Sequence, residues 1–330
     1  MHTKDNSLKA ISLGLLSALF LSSTFILNSL MAVTGGFWAW TAALRYLYVI
    51  PILTVTLLIT KKLQPLIQVL KEDFKIWMLW GTLGFGVFYA LISFASTMGP
   101  GWLIAGTFQT TIVAGLLISP FIYKDARAKI SGKALGISGL ILLGIIIIQS
   151  ANVKEMGSLK QLLTCSLLVV LSAFLWPLGN RKIMLHLEKK QVHLDAPQRV
   201  LGMAIGSLPF LLILAAYGYS ERGWPVPQQL LNSLLVAIFS GILGGIFFFK
   251  ATHLVKDNAT ALAGVEATQA AAVLFTLIGE VLLLPVSWPG LTGNLGMLII
   301  FIGIILYSRV SAKKQIKAKV PEEELALTEL

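Results

Sequence analysis

Long apolar stretches, separated by short polar links, recur along the whole 330-residue chain. Each is close to the roughly 20 residues that an α-helix needs to cross a bilayer. A membrane β-barrel would instead show alternating segments of about ten residues. The pattern predicts an all-α integral membrane protein with ten transmembrane helices, near residues 8–33, 36–60, 76–98, 101–123, 132–150, 161–181, 198–219, 231–254, 259–284 and 288–310.

Composition and charge agree with a membrane protein. Only 12% of the residues are charged and 56% are hydrophobic, whereas soluble domains are about 25% charged. The net charge of +11 comes from short basic clusters between the apolar stretches, a pattern of membrane topology and not of a nucleic-acid interface. With a single cysteine (Cys165) and four scattered histidines, the sequence predicts neither a metal site nor a cofactor.

The distribution of lysine and arginine orients the helices. Of the 26 basic residues, 20 lie in links on one side of the predicted bundle and three on the other. Positively charged links stay in the cytoplasm. Both termini are therefore predicted to be cytoplasmic, in a multi-pass protein of the cytoplasmic (plasma) membrane.

An internal repeat emerges when the chain is shifted by 160 residues. Residues 81–136 then align with 241–296 without a gap, and the identities include Gly81 with Gly241 and Gln109 with Gln269. The predicted units are a first repeat of five helices (8–150), a second (161–310) and a charged cytoplasmic tail (311–330). Because five is odd, the two repeats would be inverted in the membrane, an architecture typical of secondary transporters.

Several short motifs resemble a known family. The C-terminal stretch LIGEVLLLPVSWPGLTGNLGMLIIFIGIIL (277–306) resembles the ten-span members of the drug/metabolite transporter superfamily. FILN (25–28) and WAWTAALRY (38–46) are similar to its multidrug resistance efflux branch. The resemblance implies efflux or exchange of a small organic solute. Four-span drug exporters of this superfamily carry an essential acid in the first span, but the first span here has none, so proton exchange at that position is not expected.

Glu266 is the strongest candidate for proton coupling. It lies in the ninth predicted span, where an ionisable group is costly unless it faces the bundle interior or water. The alternative is a structural ion pair with Lys250, which lies at a similar predicted depth. Glu280, near the outer end of the same span, is expected instead to bind backbone groups.

Seven further residues are candidates for substrate binding. Gln109 and Gln269 occupy equivalent repeat positions, and an amide can bind a polar solute or bond two helices. Arg45 lies inside the second span, where it could bind an anion, bond a carbonyl or reach the outer surface. The complete set is Gln109, Gln269, Arg45, Trp38, Asn28, Trp176 and Asn180.

The sequence contains no zinc-protease, phosphate-loop or nucleophile-elbow motif, so we do not expect an enzyme. It predicts a secondary transporter of a small organic solute that works by alternating access, with proton-coupled efflux of drugs or metabolites as the first hypothesis. The alternatives are a uniporter or exchanger of a neutral metabolite, and a lipid-handling protein or membrane scaffold. Expected partners are the solute, protons and membrane lipids; a monomer suffices, and a dimer is compatible with the sequence.

Overall fold

The computed structural model describes residues 2–130, 132–151, 158–255, 264–265 and 267–319. Within these ranges the regular structure is helical, and we number the main helices in chain order. They are α1 (His2–Val33), α2 (Trp38–Ile59), α3 (Leu63–Ala95), α4 (Gly101–Ile122), α5 (Gly132–Ala151), α6 (Leu159–Lys189), α7 (Ala196–Arg222), α8 (Pro227–Leu254), α9 (Thr268–Leu283) and α10 (Leu291–Lys319).

Eight of these helices, α1 to α8, are long and apolar enough to cross a membrane. The remaining two, α9 and α10, have shorter apolar segments, Thr268–Leu283 and Leu291–Tyr307. The all-α membrane class is therefore confirmed, while ten membrane crossings remain a prediction. Four helices extend well beyond their predicted ends. Helix α1 begins at His2 rather than near residue 8, and α3 begins at Leu63 rather than near residue 76. Helix α6 continues to Lys189 rather than ending near 181, and α10 continues to Lys319 rather than ending near 310.

The helices pack in pairs that join distant parts of the chain. Helix α1 packs against α8 and α9, and α6 packs against α3 and α4. Helices α2 and α7 are neighbours, as are α5 and α10. Their buried residues form a large apolar cluster that includes the fully buried Trp77, Tyr89 and Trp102.

Glycines let the helices approach closely between α3 and α6. A Cβ atom added at Gly179 would lie 2.6 Å from the Cα atom of Gly84 and 2.8 Å from the Trp80 carbonyl oxygen. Helices in lipid associate largely through such close packing, since the lipid itself solvates apolar side chains.

Three helices contain a local departure from α-helical geometry. Residues Thr82–Val87 of α3 and Ala237–Gly244 of α8 form π-helical segments. Helix α4 is interrupted at Gln109, between its Gly101–Phe108 and Thr110–Ile122 segments. Such irregular segments inside helices are frequent at functional sites.

At the predicted cytoplasmic end, ion pairs join α3 to the end of α6. The Asp73 carboxylate pairs with Lys190 and lies 3.0 Å from His186 Nε2, and Glu72 lies 3.1 Å from Lys190 Nζ. Lys190 donates hydrogen bonds to the Asp73 and Glu72 carboxylates, and these bonds raise its pKa. A second pair, Lys62 with Asp195 at 2.7 Å, joins the α2–α3 and α6–α7 links.

Candidate functional site

Arg45 is held in the interior of the bundle. It lies seven residues after the start of α2 at Trp38, a rise of about 10 Å. Its side chain is buried, with 8% of the residue surface exposed. Nη1 donates to Thr24 Oγ1 of α1 at 3.1 Å, and Nη2 donates to Ser240 Oγ of the α8 π-helical segment at 3.1 Å. The guanidinium therefore joins three helices through neutral hydroxyl groups.

Two tyrosine rings and an asparagine complete the surroundings of Arg45. The guanidinium carbon lies 4.3 Å from the centre of the Tyr89 ring and 5.5 Å from that of Tyr46. The Tyr89 hydroxyl donates to Asn28 Oδ1 at 2.8 Å. We call Thr24, Asn28, Arg45, Tyr89 and Ser240 the polar cluster. It brings together two of the predicted substrate-binding residues, Asn28 and Arg45.

Buried donors in this cluster lack acceptors. Arg45 Nε and Asn28 Nδ2 are both buried and have no hydrogen-bond partner. In the part of the chain that the structure describes, no carboxylate pairs with Arg45. An uncompensated buried charge costs several kcal/mol. The π faces of the tyrosines offset only part of this cost, so the cluster is electropositive and rich in donors.

Gln109 lies at the interruption of α4. The preceding residue, Phe108, belongs to a group of neighbouring aromatic side chains. Its amide Nε2 donates to the Ala105 carbonyl at 3.2 Å, within its own helix. The neighbouring Phe108 ring lies 6.2 Å from Phe25, 5.7 Å from Phe88 and 6.4 Å from Trp176. These rings connect the Gln109 region with the polar cluster, because Phe25 and Phe88 adjoin Thr24 and Tyr89 along the chain.

Gln269 has different neighbours from Gln109, the residue that the predicted repeat aligns with it. It lies in a single 3₁₀ turn, Thr268–Ala270, at the start of α9, and its amide donates to the Gly14 carbonyl of α1 at 3.3 Å. Gly14 precedes Thr24 by ten residues, or about 15 Å along the helix. The two glutamines therefore share a position at a helix irregularity, but the structure does not bring Gln269 into contact with Arg45.

The three remaining substrate candidates have aromatic or local contacts. The Trp38 ring packs against Phe94 at 5.1 Å and Tyr217 at 6.1 Å. Trp176 is 41% exposed, and Asn180 donates to the Trp176 carbonyl at 2.9 Å within α6. Trp176 is thus connected to the polar cluster through Phe108. The contacts of Trp38 and Asn180 described above do not involve the polar cluster.

The proton-coupling candidate Glu266 lies outside the described residues. Its suggested partner Lys250 lines a cavity of about 640 Å³ between α2, α7 and α8. The cavity is also lined by Arg199 and His253, with Asp195 at its edge as the only acid among the lining residues that the structure describes. Whether Lys250 pairs with Glu266 stays a prediction.

Glu280 binds backbone groups, as expected from its position near the helix end. Its carboxylate is fully buried and accepts hydrogen bonds from the backbone N–H groups of Gly101 at 2.6 Å and Trp102 at 2.8 Å. These donors are at the N-terminus of α4, where a negative charge is favourable. Glu280 therefore fastens α9 to the start of α4.

Sequence reasoning missed three members of the polar cluster: Thr24, Tyr89 and Ser240. Thr24 and Asn28 are four residues apart and so share a face of α1. This spacing could have identified Thr24 from the sequence. Ser240 could not be identified in this way, since a single serine in an apolar helix is common. Among the described residues, no group of three or more His, Cys, Asp or Glu side chains is placed to hold a metal ion.

A family-wide comparison decides the class of protein. Residues 8–313 match the family EmrE, "Putative multidrug resistance efflux transporter". The chain belongs to this family. The match covers all or most of every described helix of the bundle, and it makes the chain a relative of membrane proteins that transport small molecules.

Individual relatives support the family assignment without adding a substrate. The chain is 42% identical over 321 residues to "Uncharacterized protein YjlA" of Bacillus subtilis (strain 168), covering 94% of this chain and 98% of the relative. It is 39% identical over 269 residues to an "Uncharacterized 42.1 kDa protein in intracellular alkaline protease 3'region" of Shouchella clausii, covering 79% and 69%. A solved crystal structure superposes with a TM-score of 0.60 at 13% identity, over 92% of this chain and 98% of the other, which shows a shared fold.

Proposed function

We propose that this protein is a secondary transporter that moves a small organic solute across the cytoplasmic membrane by alternating access. The observation that carries the proposal is the polar cluster around Arg45, buried in the apolar bundle of a multidrug resistance efflux transporter family member. Charged groups at membrane depth are rare, and most mark a substrate or ion pathway. A scaffold would have no need of buried donors that lack acceptors.

The packing of the helices supports two related halves, α1–α5 and α6–α10. In these halves α1 corresponds to α6, α3 to α8 and α4 to α9. The contacts of α1 with α8 and α9 therefore correspond to the contacts of α6 with α3 and α4, and both sets are present. Shifting the π-helical segment Thr82–Val87 by 160 residues makes it overlap the segment Ala237–Gly244. Two halves with corresponding π-helical segments could adopt two related arrangements around one site.

Proton-coupled efflux is the proposed mode, with Glu266 as the proton-coupling residue. A carboxyl that is partly buried binds a proton at a higher pH than a solvated one. It could therefore exchange a proton when it faces either side of the membrane. Pairing with Lys250 would instead keep Glu266 charged, and transport would then follow the gradient of the solute alone.

Counterflow into liposomes tests the transport function itself. Proteoliposomes loaded with a panel of unlabelled drugs and metabolites are diluted into the same compounds carrying a heavy isotope, and internal isotope is measured by mass spectrometry. We expect at least one compound to exchange faster than in protein-free liposomes. If no compound exchanges while labelled phospholipid moves between leaflets, the lipid-handling alternative replaces this proposal.

A further inference from the structure

We infer that the transported solute carries an anionic group, a carboxylate or a phosphate, which binds to the Arg45 guanidinium and the Asn28 amide. This inference rests on the proposed transport function, because it assigns a chemical class to the solute of that function. The inferred solute therefore has the opposite charge to a cationic drug.

The first support is the balance of donors and acceptors. A guanidinium has five N–H donors, and the partners of Arg45 are two hydroxyl groups at 3.1 Å. Arg45 Nε and Asn28 Nδ2 are buried and without partners. The planar fork of arginine matches the two oxygens of a carboxylate or phosphate. An acceptor-rich ligand would therefore supply the kind of partner that both groups lack.

The second support is the charge of the surroundings. Arg45 is 8% exposed, and no carboxylate of the described residues pairs with it. In an interior of low dielectric constant, a bound anion gains attraction that water would screen, and a cation meets repulsion. The stack on Tyr89, at 4.3 Å, fixes the plane of the guanidinium without neutralising it.

The third support is an apolar wall beside the cluster. Phe88 lies next to Tyr89, and its ring is followed by those of Phe108 and Trp176 at 5.7 and 6.4 Å spacing. Trp176 is 41% exposed, so this row of rings extends from the buried cluster to the outside of the helix bundle. The wall suits an apolar carbon skeleton attached to the anionic group.

Thermal unfolding of the purified full-length protein, with a matched set of ligands, tests the inference. The set keeps a phenyl ring and changes the anionic, neutral or cationic group attached to it: benzoate, phenyl phosphate, benzamide and benzylamine, supplemented by larger aromatic and aliphatic carboxylates. We expect one or more carboxylates or phosphates to raise the unfolding temperature in a saturable manner, and their amide and amine counterparts not to do so. The first two probes separate a carboxylate site from a phosphate site.

Substitution of Arg45 assigns the effect to the cluster. In Arg45→Met we expect the dissociation constant of the stabilising anion to rise by roughly 30-fold or more. Arg222→Met is the matched control, since it removes the same charge from an exposed position at the end of α7. If Arg45→Met does not fold, Arg45→Lys retains the positive charge and should bind the same anions more weakly, still without binding the amides.

Several results would overturn the inference. They are stabilisation by amides or amines equal to that by the anions, the absence of stabilisation by every anion, and an equal loss in Arg45→Met and Arg222→Met. Flux of a neutral or cationic solute without anion binding would leave the transport function in place and reject the anion site. Saturable anion binding at Arg45 without flux of any solute would reject the transport function instead.

Discussion

At the scale of single residues, the buried charged residues Glu280 and Arg45 differ in what surrounds them. Glu280 is fully buried, and both of its carboxylate oxygens accept backbone N–H groups. Arg45 is almost as buried, yet its Nε has no acceptor. A buried group whose donors and acceptors all have hydrogen-bond partners stabilises the fold. A buried group with an unpartnered donor is available to a ligand.

The role of Glu280 predicts a loss of stability rather than a specific loss of transport. Each hydrogen bond from a neutral donor to a charged acceptor contributes about 1.5–3 kcal/mol. Glu280→Ala should therefore lower the unfolding free energy by about 3 kcal/mol, and Glu280→Gln by about half of this, since the amide keeps one acceptor oxygen. Unfolding of the purified variants by heat or denaturant measures both changes.

Glu221→Gln is the control for Glu280, because Glu221 is an exposed acid near the end of α7. It should change the unfolding free energy by less than about 0.5 kcal/mol. A Glu280→Gln protein that is as stable as the wild type but fails to transport would contradict the structural role of Glu280.

At the scale of helices, the close approach of α3 and α6 gives a second prediction. Gly179→Ala introduces a Cβ atom that would lie 2.6 Å from the Cα atom of Gly84, which forces the backbones apart. We expect a loss of about 1–3 kcal/mol, visible as a lower unfolding temperature. Gly245→Ala is the matched control, since no atom lies within 4 Å of its added Cβ, and it should be neutral or slightly stabilising.

The helices were also the level at which sequence prediction was most informative. Apolar stretches located the helices well, because a membrane span requires about 20 apolar residues whatever its neighbours. The extensions of α3 and α6 at the predicted cytoplasmic end were missed, since residues 63–75 and 182–189 are too polar to be recognised by hydropathy. They are joined by the ion pairs of Asp73 and Lys190, which become visible only when two distant segments meet.

The candidate site was predicted only in part for the same reason. Arg45 and Asn28 stand out because polar residues are rare in apolar helices. Their joint position could not be read from the sequence, since it depends on Tyr89 of α3 and Ser240 of α8. Gln109 and Gln269, which the predicted repeat aligns, each lie at a helix irregularity, but the sequence could not show that they contact different helices.

At the scale of the whole molecule, the predicted orientation can be tested with two exposed positions. Cys165 is the only cysteine and is buried, so Cys165→Ser gives a background without cysteine. In this background, Lys71→Cys should react with a membrane-impermeant maleimide only after cells are opened, and Glu221→Cys should react in intact cells. The opposite pattern would reverse the orientation that the basic residues predict.

The central claim is that this chain is a proton-coupled secondary transporter, and uphill movement in liposomes tests it most directly. A solute that exchanges in counterflow is supplied at equal concentrations on both sides, and a pH gradient is imposed. We predict accumulation on one side in wild-type liposomes and its collapse when a proton ionophore is added. Accumulation should be lost in Glu266→Gln, whose solute exchange is measured as the control for folding. Accumulation that is undiminished in Glu266→Gln, or exchange in the wild type that never becomes uphill, would contradict the claim.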